Sequence, residues 1–178
     1  MSKQDPRAIR TKQMIKDATL NLLRNGVGIH QLTVQQVTKE ACLNRTTFYL
    51  HYIDIYDLTD ALANELSTHI QQKIEPLIET NPLNKEEQLV HLLQFLKNER
   101  EQLLLLFQTE KLEVLLHELF LKLITIRRER SKKLTKNALI EADIKAASLV
   151  GIIMWWFKHG QHHEATYIAG QIQFMYKK

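Results

Sequence analysis

One cysteine (Cys42), five glycines and three prolines are very few for a chain of 178 residues, and each scarcity closes off a class of structure. A lone thiol admits no intrachain disulfide framework and no multi-cysteine zinc site, so a reducing, cytoplasmic setting is expected. An all-β sandwich needs a turn signal about every 8–12 residues, and so few glycines and prolines do not supply them. The opening MSKQDPRAIRTK is too polar for a signal peptide, and the longest apolar run is shorter than the roughly 20 residues of a membrane span. Also missing are a glycine-rich phosphate loop, a G-x-S-x-G elbow and an H-E-x-x-H pair, so nothing points to an enzyme. What remains is an all-α protein expected to be soluble, with no cofactor or metal implied.

The charge is unevenly placed. Residues 1–52 hold eight Lys and Arg against Asp5, Asp17 and Glu40, an excess of five positives, whereas the whole chain carries only +4. The remainder is therefore close to neutral. A cationic N-terminal third fits contact with a polyanion, or else a solvated basic helix face.

Apolar spacing divides that third into short helices. Ile15, Ala18 and Leu22 predict a helix over about 6–25, with Pro6 in its first turn and Asn25-Gly26-Val27-Gly28 ending it. Thr33 suits the N-cap of a second helix over 34–41, with Val34 and Val37 facing inward. Cys42-Leu43-Asn44 reads as a tight turn and 45–52 as one or two turns of a third helix, which together make a helix-turn-helix candidate. Farther on, Asp54 is placed to cap a helix reaching about Ile78 that Pro76 kinks or ends. Asn84 and Glu87 form a capping box for a helix over 85–97. Apolar segments follow at 103–107 and 112–126, then a basic run at 127–133 read as a solvated helix end. Helices over about 141–158 and 164–176 bring the total to eight or nine.

The stretch 32–52, LTVQQVTKEACLNRTTFYLHY, resembles the DNA-binding signature of the TetR-type (TetR/AcrR) transcriptional regulators. The resemblance lies in Thr33-Val34 opening the second helix, the Ala-x-Leu turn at 41–43, the Thr-Phe-Tyr-x-His-Tyr run at 47–52 and Tyr56-Asp57-Leu58 beginning the fourth helix. It implies a three-helix DNA-binding domain over 6–66 and a regulatory, dimerising helical bundle over 67–178. Two departures stand out. Cys42 occupies a place usually held by glycine, and Ile55 one where many members carry a phosphate-touching lysine.

A recognition helix needs one apolar face for docking and one polar face for the major groove. Phe48 and Tyr52, four apart, form the first; Arg45, Thr46 and Tyr49 project on the second, with Thr47 and His51 at its margins. Arg45 suits the O6 and N7 of guanine, and Thr46 a thymine methyl or base edge. The family pattern implies phosphate contacts for Tyr49 and His51, and Thr33 with the free N–H groups at the start of the second helix can take another phosphate. The alternatives are an Arg45–Glu40 pair, a half-buried Tyr49 and a His51 that merely caps the surface.

In the remaining chain the apolar run 146–157 covers every side of its helix, and the last helix carries two apolar stripes. Homodimerisation through Ile152, Trp156, Ile168, Ile172 and Met175 is expected, the alternative being a monomer that folds both helices inside. Phe95, Phe107, Phe120 and Trp155, with His91 and His117 as polar groups, are candidates to line a pocket for a small apolar or amphipathic effector. The His159–Glu164 segment has metal-ligand residue types but reads as a turn. The expected function is a homodimeric repressor that binds a pseudo-palindromic double-stranded DNA operator. The alternative is a partner-binding co-regulator with weak DNA affinity.

Overall fold

The computed structural model describes residues 5–79, 85–130 and 141–176. Among these the chain is all-α: α1 (Pro6–Arg24), a 3-10 turn (Ile29–Gln31), α2 (Val34–Glu40), α3 (Arg45–Tyr49), α4 (Ile55–Glu79), α5 (Lys85–Leu106), α6 (Thr109–Arg130), α7 (Ala142–Lys158) and α8 (Ala165–Tyr176). The chain forms two compact units, Met1–Leu66 and Ser67–Lys178, whose boundary falls within α4. Among the described residues no helix is long and apolar enough to cross a membrane.

The first unit is built on local caps. Asp5 accepts from the Arg7 amide at 2.9 Å and Pro6 opens α1, where its missing N–H costs nothing. Ile15, Ala18, Leu20 and Leu23 are buried; Leu22, expected in the core, is half-buried, because the inward stripe of α1 drifts to the neighbouring Leu23. The helix ends in a Schellman motif: Gly26 stands at φ 86, its amide donates to Leu23 O, and the Val27 amide donates to Leu22 O. At the start of α2, Thr33 Oγ1 accepts from the Gln36 amide at 3.2 Å while Gln36 Oε1 accepts from the Thr33 amide at 2.9 Å. This reciprocal box pairs two donors that an isolated helix leaves unpaired. Asp54 caps α4 by accepting from the Asp57 amide at 2.8 Å, and Asp57 accepts in return from the Ile53 amide at 2.9 Å.

The second unit is made of longer helices than the sequence suggested. The segments 85–97 and 103–107 are one helix, α5, since the intervening Asn98-Glu99-Arg100-Glu101-Gln102 consists mostly of strong helix formers without glycine or proline. Helix α4, by contrast, ends at Glu79, close to the expected end near Ile78 and three residues after Pro76, whose missing N–H weakens the ladder there. The proposed cap Asn84 and positions 131–133 of the basic run lie outside the described residues. Helix α6 packs on α7 and α5 on α8, around Leu93, Leu96, Leu103, Leu112, Leu116 and Ile153. Arg100 of α5 donates from Nε and Nη2 to Phe157 O at 2.8 and 2.5 Å, closing one of the last carbonyls of α7 with a cation. Lys97 reaches Glu164 at 2.8 Å.

Candidate nucleic-acid interface

Asn44 caps α3, its Oδ1 accepting from the Thr47 amide at 2.7 Å and from Thr47 Oγ1 at 2.8 Å. This sets the short helix so that Phe48 is fully buried and Tyr49 is 56% exposed. Phe48 is the anchor, with Tyr49 edge-on at 5.6 Å and Tyr52 tilted at 5.7 Å between ring centres. Arg45, Thr46 and Tyr49 all stand on the exposed side, and Thr47 and His51 are half-buried at its edges. The expected division into a docking face and a polar face is thus present in the geometry.

Hydrogen bonding separates residues that the sequence treats alike. The Thr33 hydroxyl donates to Gln36 Oε1 at 2.8 Å and the Thr47 hydroxyl to Asn44, so both protons serve caps and are not pointed at a ligand. Arg45 does not pair with Glu40, whose carboxylate accepts from Asn21 Nδ2. Instead Arg45 Nη2 donates to Gln35 Oε1 at 2.9 Å, across from the start of α2. Gln35 was not singled out by sequence, although its place at the second position of a capped helix, ten residues before Arg45, was readable. Burial pushes the Tyr52 phenol above its ordinary value, and the nearby carboxylates of Glu65 and Asp57 add to the rise. Tyr52 therefore stays a neutral phenol beside the anchor.

No protein-family profile and no curated protein matches the chain. Solved structures do. A TetR-like transcriptional regulator from Rhodococcus sp. RHA1 aligns with TM-score 0.65 at 19% identity, over 98% of this chain and 100% of its own. NalD of Pseudomonas aeruginosa, the secondary repressor of the MexAB-OprM multidrug efflux pump, aligns with TM-score 0.66 at 14% identity over 96% and 95%. FadR of Bacillus subtilis, solved with stearoyl-CoA, aligns with TM-score 0.64 at 15% identity over 92% and 96%. The fold is that of the TetR-type transcriptional regulators.

Within this TetR-type fold the two departures take a definite form. Cys42 stands at φ 54, the one non-glycine residue with positive φ among those described, so the turn keeps a glycine-like conformation without a glycine. Its thiol is exposed. Ile55 is half-buried and brings no cation to the interface. Of the lysines on α1, Lys16 is held by Glu65 at 2.6 Å, while Lys12 borders, with His51, a recess of about 350 Å³ between the start of α1 and the end of α3.

In the second unit of the TetR-type fold the candidate residues are redistributed. Trp156, Ile168 and Ile172, expected on a dimer face, are buried inside their own unit, and Trp156 Nε1 donates to His163 O at 3.1 Å. Residues 155 and 156 lie about 100° apart around the helix, so turning one inward turns the other out. Trp155, expected in a pocket, is 47% exposed, and His91 faces solvent as well. Ile152 is half-buried and Met175 exposed. Phe120 is buried, Phe107 and Phe95 are half-buried, Phe95 meets the His69 ring edge-on at 5.5 Å, and His117 lies 3.2 Å from Asp143. His163 stacks on Tyr167 at 4.3 Å and on Trp155 at 6.0 Å. Among the described residues no group of three or more His, Cys, Asp or Glu could hold a metal.

Proposed function

We propose that this chain is a DNA-binding transcriptional regulator, a homodimeric repressor whose two α3 helices enter major grooves of a pseudo-palindromic operator. The observation that carries the reading is α3 itself: Phe48 fully buried on one side, Arg45, Thr46 and Tyr49 exposed on the other, within residues 1–52, which hold an excess of five positives. Arg45 and Thr46 read bases, whereas Tyr49, His51 and Lys12 hold phosphates; Thr33 and Thr47 serve mainly to fix the two helices. The second copy docks on the apolar line left exposed on α7 and α8, formed by Ile144, Trp155, Tyr167 and Phe174. The FadR structure with stearoyl-CoA supports a small apolar or amphipathic effector. Such an effector releases DNA only as far as it binds the non-DNA geometry more tightly.

Titration of labelled duplex from the chain's own upstream region, at several salt concentrations, tests this. Specific binding with a steep negative salt slope is expected, and Arg45→Ala should relax base preference at a cost of about 1–3 kcal/mol. Equal, weak binding to every duplex would sink the proposal. It would favour a partner-binding co-regulator, a reading supported by Leu50, Ile53 and Tyr56, all strongly exposed apolar residues beside α3.

A further inference from the structure

Gln35 and Gln36 are neighbours with different duties. Gln36 Oε1 accepts from the amide and hydroxyl of Thr33 and so belongs to the cap of α2. Gln35 takes no part in that box; its Oε1 accepts from Arg45 Nη2 at 2.9 Å, and both side chains are exposed on the face that carries Thr46 and Tyr49. An exposed arginine without such a partner samples many rotamers and loses that freedom when it docks. Here one N–H of Nη2 is already engaged, which fixes the direction of the guanidinium on its long stem, and the remaining N–H groups, which can only donate, are aimed by it. Those donors match the O6 and N7 acceptors of guanine and conflict with the N6 donor of adenine. The same contact occupies the amide oxygen that Gln35 would need for a bidentate grip on adenine.

We propose that Gln35 is a positioning residue that commits Arg45 to guanine, so that α2 takes part in base selection through a residue on α3 and does not itself read a base. The inference rests on the DNA-reading role of α3 proposed above. Site selection from a randomised duplex pool, followed by titration of the chosen sites, tests it with the full chain, Arg45→Ala, Gln35→Ala, Gln35→Glu and the double variant Gln35→Ala/Arg45→Ala. Arg45→Ala should lose guanine preference at one operator position by about 10–100-fold. Gln35→Ala should lose about 3–10-fold at that same position and at no other, with an unchanged salt slope, and the double variant should match Arg45→Ala alone. Gln35→Glu keeps an oxygen acceptor for Nη2; it should retain the guanine preference while its added charge weakens binding to every sequence. A changed preference at a different position would mean that Gln35 reads its own base, and a uniform loss of affinity would mean that it is structural; either overturns the proposal. So does a Gln35→Ala variant indistinguishable from the original chain. If the unaltered chain selects no sequence at all, the DNA-reading role fails and this inference with it.

Discussion

Replacing Cys42 with glycine should stabilise the chain, and the same molecule supplies the control. Helices α1 and α2 end in the same way. At α1 the Gly26 amide donates to Leu23 O and the Val27 amide to Leu22 O; at α2 the Cys42 amide donates to Lys39 O and the Leu43 amide to Thr38 O. Both are Schellman motifs with one residue at positive φ, 86 for Gly26 and 54 for Cys42. A side chain in that conformation costs about 1–2 kcal/mol. Glycine removes the cost and adds about 0.5–1 kcal/mol of unfolded-chain entropy, so the net gain is about 0.5–1 kcal/mol. Cys42 is exposed, so little packing is lost. For a chain of this size each kcal/mol moves Tm by about 2–4 °C. Thermal denaturation followed by circular dichroism should therefore show a rise of about 1–4 °C for Cys42→Gly, no change for Cys42→Ala, and a fall for Gly26→Ala, where nothing lies within 4 Å of the added methyl and only the backbone objects. A Cys42→Ala variant as stable as Cys42→Gly would refute the backbone argument and place the cost in the thiol.

Other perturbations address the rest of the chain. The raised Tyr52 value makes the folded state hold its proton above pH 10 while the unfolded chain releases it, so stability is full below about pH 10 and declines as pH climbs towards the folded value. Tyr52→Phe should flatten that alkaline decline in pH-dependent denaturation. Arg100→Ala leaves Phe157 O without its two charged donors and should cost about 1.5–3 kcal/mol in chemical denaturation, with partial recovery in Arg100→Lys. Phe174, 81% exposed, should be central to self-association: Phe174→Glu should sediment near 20.9 kDa where the original chain sediments near twice that mass, and an unchanged dimer would move the interface elsewhere.

What could be read from sequence and what could not divides along a physical line. Thr33 and Asp54 were identifiable as caps because a cap depends on residues within three positions of itself. The anchor Phe48 was equally plain, being the apolar residue of a helix with polar neighbours. Tertiary choices were less accessible. Whether Leu22 or Leu23 faces the core, and whether Trp155 or Trp156 does, depends on a small rotation of the helix that only its packing partners fix. The links Arg45–Gln35, Arg100–Phe157 and His117–Asp143 join residues whose types are unremarkable alone; only the approach of two elements makes them partners.

Trp155 and Trp156 are the chain's only tryptophans, and their opposite placement gives two optical reporters on adjacent residues. Trp156, buried and hydrogen-bonded to His163 O, should emit at short wavelength until the second unit unfolds. Trp155 lies flat beside Gly160, where an added methyl would sit 2.6 Å from its ring, and its outer surface meets water. Its emission should shift to shorter wavelength when a second copy covers it and should depend on protein concentration. Trp156→Phe and Trp155→Phe then separate association from unfolding in one cuvette, without any added dye.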